Sequence, residues 1–147
     1  MPIVTESCRI KASVVSADEH ESGLRRILNF GHTAGHALEA VTNYRRFRHG
    51  EAVGYGMLVA AELATARGAL AERDRKALAD LIAGLGPLPP IGDVSTAQIL
   101  DAMKHDKKVV AGRLHFVLPT AIGATAIVDD VTRKELKASL KRVGFKA

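Results

Sequence analysis

Cysteine occurs once, at Cys8, so no disulfide can form within the chain. The opening residues M-P-I-V-T-E-S-C-R-I-K lack the apolar block of a secretory signal, which makes a reducing, cytoplasmic setting the expectation. Tryptophan is missing, and only two Tyr and four Phe are present in 147 residues. A core must therefore be built mainly from Leu, Ile, Val and Ala. No apolar run is long enough to span a bilayer, so no membrane partner is expected. Internal repeats and low-complexity tracts are absent, and no strand is followed by the glycine-rich turn that cradles a dinucleotide.

Hydrophobic residues make up 47% of the chain and charged residues 25%, the balance of one ordinary globular domain with a real core. The formal net charge is +5, but acids alternate with bases, as in A-E-R-D-R-K, and aromatics are not interleaved with them. That pattern argues against nucleic acid and for an anionic small molecule as the use of local positive charge.

Apolar spacing predicts a helix over Val4 to Val15, with Ile10 and Val14 on one side. Ser16 to Gly23 is small and acidic and reads as an irregular crossing. A short helix is expected over Gly31 to Thr42, a loop over Asn43 to Arg48, and a long helix from His49 to about Arg67, buried on most sides and ended by Gly68. Within it, Gly54 and Gly56 offer room for another backbone to approach. Glu72 to Ala83 predicts an amphipathic helix with Leu78, Leu81 and Ile82 inward, halted by G-L-G-P-L-P-P. Ser95 with Gln98 reads as a capping box for a helix through Met103, and Thr132 with Glu135 as another for a terminal helix through about Val143. Leu114 to Leu118 and Ala124 to Val128 flank P-T-A-I-G and predict a short β-hairpin. The expected fold is mainly α, a multi-helix domain with one small hairpin.

The densest chemistry lies in Leu28 to Met57, which holds three of the six histidines. His32 and His36 stand four apart, so on a helix they share a face, and His49 opens the next element. Two readings are open for such a pair: surface polarity, or convergence on a divalent metal that takes three protein ligands and leaves one position open. Three histidines set in G-H, G-H and H-G-E favour the metal.

The order K-A-x-V-V-x-x-D-E-x-E-x-G-L-R-x-x-L-N-F-G-H-T-x-G-H-A-L-E, then R-H-G-E-A-V-G-Y-G-M, then D-K-K and F-V-L-P-T-A-I-G, resembles the C-terminal domain of the 3-dehydroquinate synthases. It runs from about Ser7 to Val128, and related sugar-phosphate cyclases share the scaffold. The resemblance implies a zinc- and NAD-dependent lyase of the shikimate route, converting 3-deoxy-arabino-heptulosonate 7-phosphate to 3-dehydroquinate and phosphate in a homo-oligomeric enzyme. Carried over by position, it implies that His32 and His49 ligate zinc, while His36 meets the substrate near its phosphate rather than the metal. It likewise implies that Arg25 grips the substrate carboxylate, Asn29 bonds the phosphate, Lys11 meets the carboxylate end and Glu21 is an acid of the substrate site. One of Lys107 and Lys108, with Lys107 favoured, would meet the phosphate. Glu39 and Glu51 are placed to orient imidazoles from behind. Taken singly, Lys11 would be a solvated helix lysine, Glu21 a loop carboxylate and D-K-K a cluster complementing a helix C-terminus.

Two features of the family have no counterpart in this sequence. Nothing in it resembles the N-terminal domain that holds NAD, and the resemblance implies that the third zinc ligand, a glutamate, lies upstream of the first residue. The single domain 1–147 is thus expected to be half an active site, inactive alone, with a separate NAD-binding domain as a candidate partner. Two histidines by themselves would hold zinc or another divalent metal weakly. The alternatives are a domain of another sugar-phosphate cyclase, against which the carboxylate-directed Arg25 speaks, and a non-catalytic helical module that binds another protein.

Overall fold

A computed structural model describes residues 1–18, 24–106, 109–110 and 113–147, with only the backbone described at Val109 and Val110. Six α-helices are found there: α1 (Pro2–Ala17), α2 (His32–Val41), α3 (His49–Ala66), α4 (Glu72–Gly84), α5 (Thr96–Lys104) and α6 (Arg133–Val143). A 3₁₀ segment (Leu24–Asn29) precedes α2. The strands are β1 (Val109–Val110), β2 (Arg113–Leu114), β3 (Phe116–Ala121) and β4 (Ala124–Val128).

Helix α3 is the post around which the rest is assembled. Ala, Val, Leu and Gly occupy all its sides, and Ala52, Val59, Ala61, Leu63 and Ala64 are essentially sealed from solvent. Helices α2, α4 and α6 and strand β3 all pack on it, while α5 lies against α2 and α6. Phe47, Tyr55 and Phe145 meet edge to face at centroid distances of 6.0 and 6.1 Å, so three of the six aromatics share one seam of the core.

Small residues let α2 come close to α3. A Cβ added at Gly56 would stand 1.8 Å from the Gly31 carbonyl oxygen, and one at Gly35 would stand 3.0 Å from the Ala52 carbonyl oxygen. Gly31 itself has φ +79°, the left-handed region open to glycine. Its carbonyl accepts the Gly35 N–H at 3.1 Å, which starts α2 on the spot where the two backbones touch. Gly54, expected to serve the same purpose, instead faces the Ile82 and Leu88 side chains at ordinary van der Waals distance.

The far end of α3 is tied to α6. Arg67 donates to Glu135 at 2.8 Å and to the Asp130 carboxylate at 2.7 Å. Thr132 and Glu135 form the expected capping box, with the Thr132 N–H on Glu135 at 2.8 Å and the Glu135 N–H on the Thr132 hydroxyl at 3.3 Å. The C-terminal residues are held by Lys146, whose N–H donates to the Val94 carbonyl at 2.9 Å.

Several expectations are corrected. Leu81 is 64% exposed, because among the described residues α4 packs chiefly on α3 and its inward stripe is only as wide as Leu78 and Ile82. The Ser95 hydroxyl caps α5 by accepting from the Ala97 N–H at 3.1 Å, and Gln98 makes no reciprocal bond. The main hairpin keeps Ala124 to Val128 but shifts its first strand to Phe116–Ala121, turning at Ile122 and Gly123, where φ is +84°. A second ladder, β1 with β2, has two residues per strand, too few for alternation to be read. No described helix is long and apolar enough to cross a membrane.

Candidate metal centre

On α2, His32, His36 and Glu39 fall on one stripe, next to the face that Ala34, Ala37 and Leu38 bury in the core. Packing of that neighbouring face therefore leaves the stripe half-buried, at the edge of the α2–α3 seam. The turn after α2 is tight. Asn43 and Tyr44 both adopt left-handed backbone, φ +55° and +57°, and the Tyr44 N–H returns to the Glu39 carbonyl at 2.8 Å. Arg46 then pins the loop by donating to both oxygens of Asp93 at 2.7 Å, and its guanidinium lies 5.3 Å from the Phe47 ring centroid. This brings the chain back so that His49 begins α3 opposite His32 and His36.

The three imidazoles form a compact triangle. Ring centroids are 5.3 Å apart for His32 and His36, 5.3 Å for His32 and His49, and 5.9 Å for His36 and His49. One ligand nitrogen from each ring lies within 4.8 Å of the others. His32 Nδ1 donates to the Phe30 carbonyl at 3.2 Å, and His49 Nδ1 donates to Glu39 Oε1 at 3.2 Å. A carbonyl and a carboxylate can only accept, so each bond puts the proton on Nδ1, the tautomer in which Nε2 carries the lone pair.

Glu39 and Glu51 part company here. Glu39 lies behind His49 with its side chain only 12% exposed, whereas Glu51 accepts the Arg48 N–H at 2.8 Å and caps α3. Imidazole nitrogen, oxygen acceptors behind two of the rings and an open side at His49 make a donor set suited to zinc or a similar divalent ion.

A cavity of about 470 Å³ adjoins the triangle and shares His36 with it; Glu39, Tyr44, His105 and Asp106 complete its polar lining. The last three were not singled out from sequence. Asp106 stands directly before the lysine pair that was, and the paired left-handed residues at Asn43 and Tyr44 leave no mark in composition.

The remaining candidates are distributed as follows. Arg25 is half-buried on the 3₁₀ segment, its backbone N–H on Asp18 Oδ2 at 3.2 Å. Asn29 ends the same segment and lines a small separate cavity with Gly31, Thr33, Gly56 and Phe116. Lys11 is exposed on α1, a helix that packs on the 3₁₀ segment and buries Val14 alone. Glu21, Lys107 and Lys108 lie outside the described residues.

Comparison with known proteins decides the lineage. Residues 1–109 match the family model described as 3-dehydroquinate synthase C-terminal. The chain belongs to this family. Relatives named 3-dehydroquinate synthase include one from Solibacter usitatus, 46% identical over 129 residues covering 88% of this chain and 36% of the relative. Another, from Koribacter versatilis, is 46% identical over 147 residues, covering 97% of this chain and 39% of the relative. The chain thus spans less than two-fifths of the length of either relative.

Solved structures of sugar-phosphate cyclases share the 3-dehydroquinate synthase-like fold. A 2-deoxy-scyllo-inosose synthase complexed with carbaglucose-6-phosphate, NAD⁺ and Co²⁺ superposes with a TM-score of 0.77 at 27% identity, over 90% of this chain and 38% of that one. A 2-epi-5-epi-valiolone synthase from Streptomyces hygroscopicus with NAD⁺ and Zn²⁺ bound gives 0.72 at 29% identity, over 89% of this chain and 36% of that one.

Proposed function

We propose that this chain is the metal- and substrate-binding part of a 3-dehydroquinate synthase, acting in the cytoplasm on 3-deoxy-arabino-heptulosonate 7-phosphate, with NAD held by a part of the enzyme outside these residues. The observation that carries the reading is the imidazole triangle, set at the α2–α3 seam within a family whose relatives bear that name.

In this reading His32 and His49 hold zinc through Nε2, their Nδ1 protons fixed by Phe30 and Glu39. Zinc, when bound, supplies a Lewis acid beside the substrate oxygens. Arg25 offers a planar fork to the substrate carboxylate, a geometry that a point charge does not match. Lys11 meets the same end, and Glu21 supplies an acid to the site. Asn29, His36 and Lys107 bond the phosphate, with His36 facing the cavity beside the metal. Holding the two anionic ends apart fixes which carbon lies near zinc, so orientation is set before any bond changes.

Another sugar-phosphate cyclase activity is the second reading, favoured by the structural neighbours. The 46% identity to the synthase relatives, against 27% to the inosose synthase structure, supports the first reading over it.

The test is phosphate release from 3-deoxy-arabino-heptulosonate 7-phosphate with NAD and zinc. The 147-residue chain alone is expected to release none above a His32→Ala control. Supplied with the NAD-binding part of the Koribacter relative, it should turn over this substrate and should lose activity on Arg25→Ala. Turnover of a hexose phosphate lacking a carboxylate, with the sugar acid inert, would overturn the assignment in favour of the second reading.

A further inference from the structure

We infer that Asp18 is a positioning residue for substrate binding: its carboxylate holds the backbone of Arg25 and so sets where Arg25 stands relative to Lys11. This rests on the reading of Arg25 and Lys11 as carboxylate-binding groups, and adds to them a residue that itself touches no substrate. Asp18 opens the run D-E-x-E-x-G-L-R, in which Glu21 and Arg25 carry proposed roles and Asp18 none.

Asp18 is badly placed for the helix it ends. It is the C-cap of α1, leaving helical backbone at φ −146° and ψ 79°, and its N–H returns to the Val14 and Val15 carbonyls at 3.2 and 3.3 Å. A carboxylate there faces the negative end of the helix dipole, and the last turn of α1 holds no basic residue to offset it. What the side chain serves is the next element. Oδ2 accepts the N–H of Arg25, seven residues on, at 3.2 Å. Arg25 is the second residue of the 3₁₀ segment, an early N–H with no acceptor inside that segment, so Asp18 caps it from a distance.

The segment has need of such a bond. None of its six residues is fully buried, so packing alone does not fix how it turns about its own axis. Among the described residues α1 packs chiefly on this segment, and Val14 is the residue it buries. Lys11, Val14 and Asp18 stand three and four apart, on one stripe of α1. Burial of Val14 marks that stripe as the side turned toward the 3₁₀ segment. Lys11 therefore lies on the same side of α1 as the Asp18–Arg25 bond, two turns or roughly 10 Å along the axis. One cation on each element, with a carboxylate fixing their separation, suits a two-point grip on a planar anion.

The test compares Asp18→Ala and Asp18→Asn with the parent 147-residue chain. In the chain alone, the Arg25 N–H should exchange with deuterium about 3–30-fold faster in Asp18→Ala, the range that loss of one such cap corresponds to. It should stay near the parent in Asp18→Asn, whose amide oxygen still accepts. With zinc, NAD and the NAD-binding part of the Koribacter relative, Asp18→Ala should raise KM for the sugar acid phosphate by a similar factor. Its kcat should change by less than about twofold, and Asp18→Asn should restore KM. In an Arg25→Ala background Asp18→Ala should raise KM no further, since no guanidinium remains to be placed, whereas general damage to the fold would add in full. Unchanged exchange, unchanged KM or full additivity with Arg25→Ala would each overturn the inference and leave the reading of Arg25 standing. A parent mixture inert toward the sugar acid would overturn that reading and the inference with it.

Discussion

His49 is the most open of the three imidazoles and the one whose orientation has the least packing to rely on. Its side chain is 58% exposed, and what holds its face is the bond from Nδ1 to the nearly buried carboxylate of Glu39. Glu39→Ala should therefore weaken zinc by about 10–100-fold, the usual cost of removing the acceptor behind a ligating histidine. Glu39→Gln should be milder, since its amide oxygen still accepts from Nδ1. Calorimetry gives both numbers, and an unchanged affinity in Glu39→Ala would remove Glu39 from the site. Sequence alone placed Glu39 and Glu51 on an equal footing. Their division of labour depends on which way each helix end turns, and for Glu51 the free N–H at the start of α3 is the nearer claimant.

At the scale of elements, the α2–α3 crossing is the joint that sets where the histidines meet. Replacing Gly56 by Ala favours the helix by about 1 kcal/mol through propensity. The added carbon, however, would fall 1.8 Å from the Gly31 carbonyl, a backbone atom with no rotamer to change. Overpacking of this kind costs about 1–3 kcal/mol and occasionally more, so the clash wins. Thermal melting should show Gly56→Ala lowered by several degrees, at about 2–4 °C per kcal/mol for a domain of this size. Gly84→Ala, where a new Cβ meets nothing within 4 Å, should melt no lower than the parent. The glycine pattern was legible in part: a backbone approach at Gly56 was expected, but not that Gly54 would face side chains instead. Helix existence followed from apolar pattern at α1, α3 and α4 and from capping residues at α5 and α6. What spacing could not give was the number of neighbours each helix meets, and Leu81 was misread for that reason.

For the molecule as a whole, the clamp between the end of α3 and the start of α6 ties stability to acidity. The Arg67 guanidinium, helped by the Thr132 N–H and hydroxyl, holds the Glu135 carboxyl at about 2 against an ordinary 4.5. A carboxyl depressed in the folded state contributes fully above its unfolded value and less as the pH falls through the folded one. Stability should decline from a pH of about 4.5 toward about 2, with Asp130, also lowered by Arg67, declining alongside. Arg67→Met should lower urea midpoints near neutrality and flatten that acid decline; a decline as steep as in the parent would exclude the clamp as its source. This part of the fold was half-visible beforehand: the Thr132–Glu135 cap is local in sequence, while Arg67 lies 68 residues from Glu135.

The Gly31–Gly56 contact also bears on how the centre can vary. Atoms of the main chain, not aliphatic side chains, act as the spacer between the segments carrying His32 and His49. Exchanges among the aliphatic residues filling the interior should leave the imidazole spacing untouched. Libraries randomised along that line of contact should return almost nothing but the parent sequence, and a wider or narrower ion cage would require sliding one helix along the other by a whole turn.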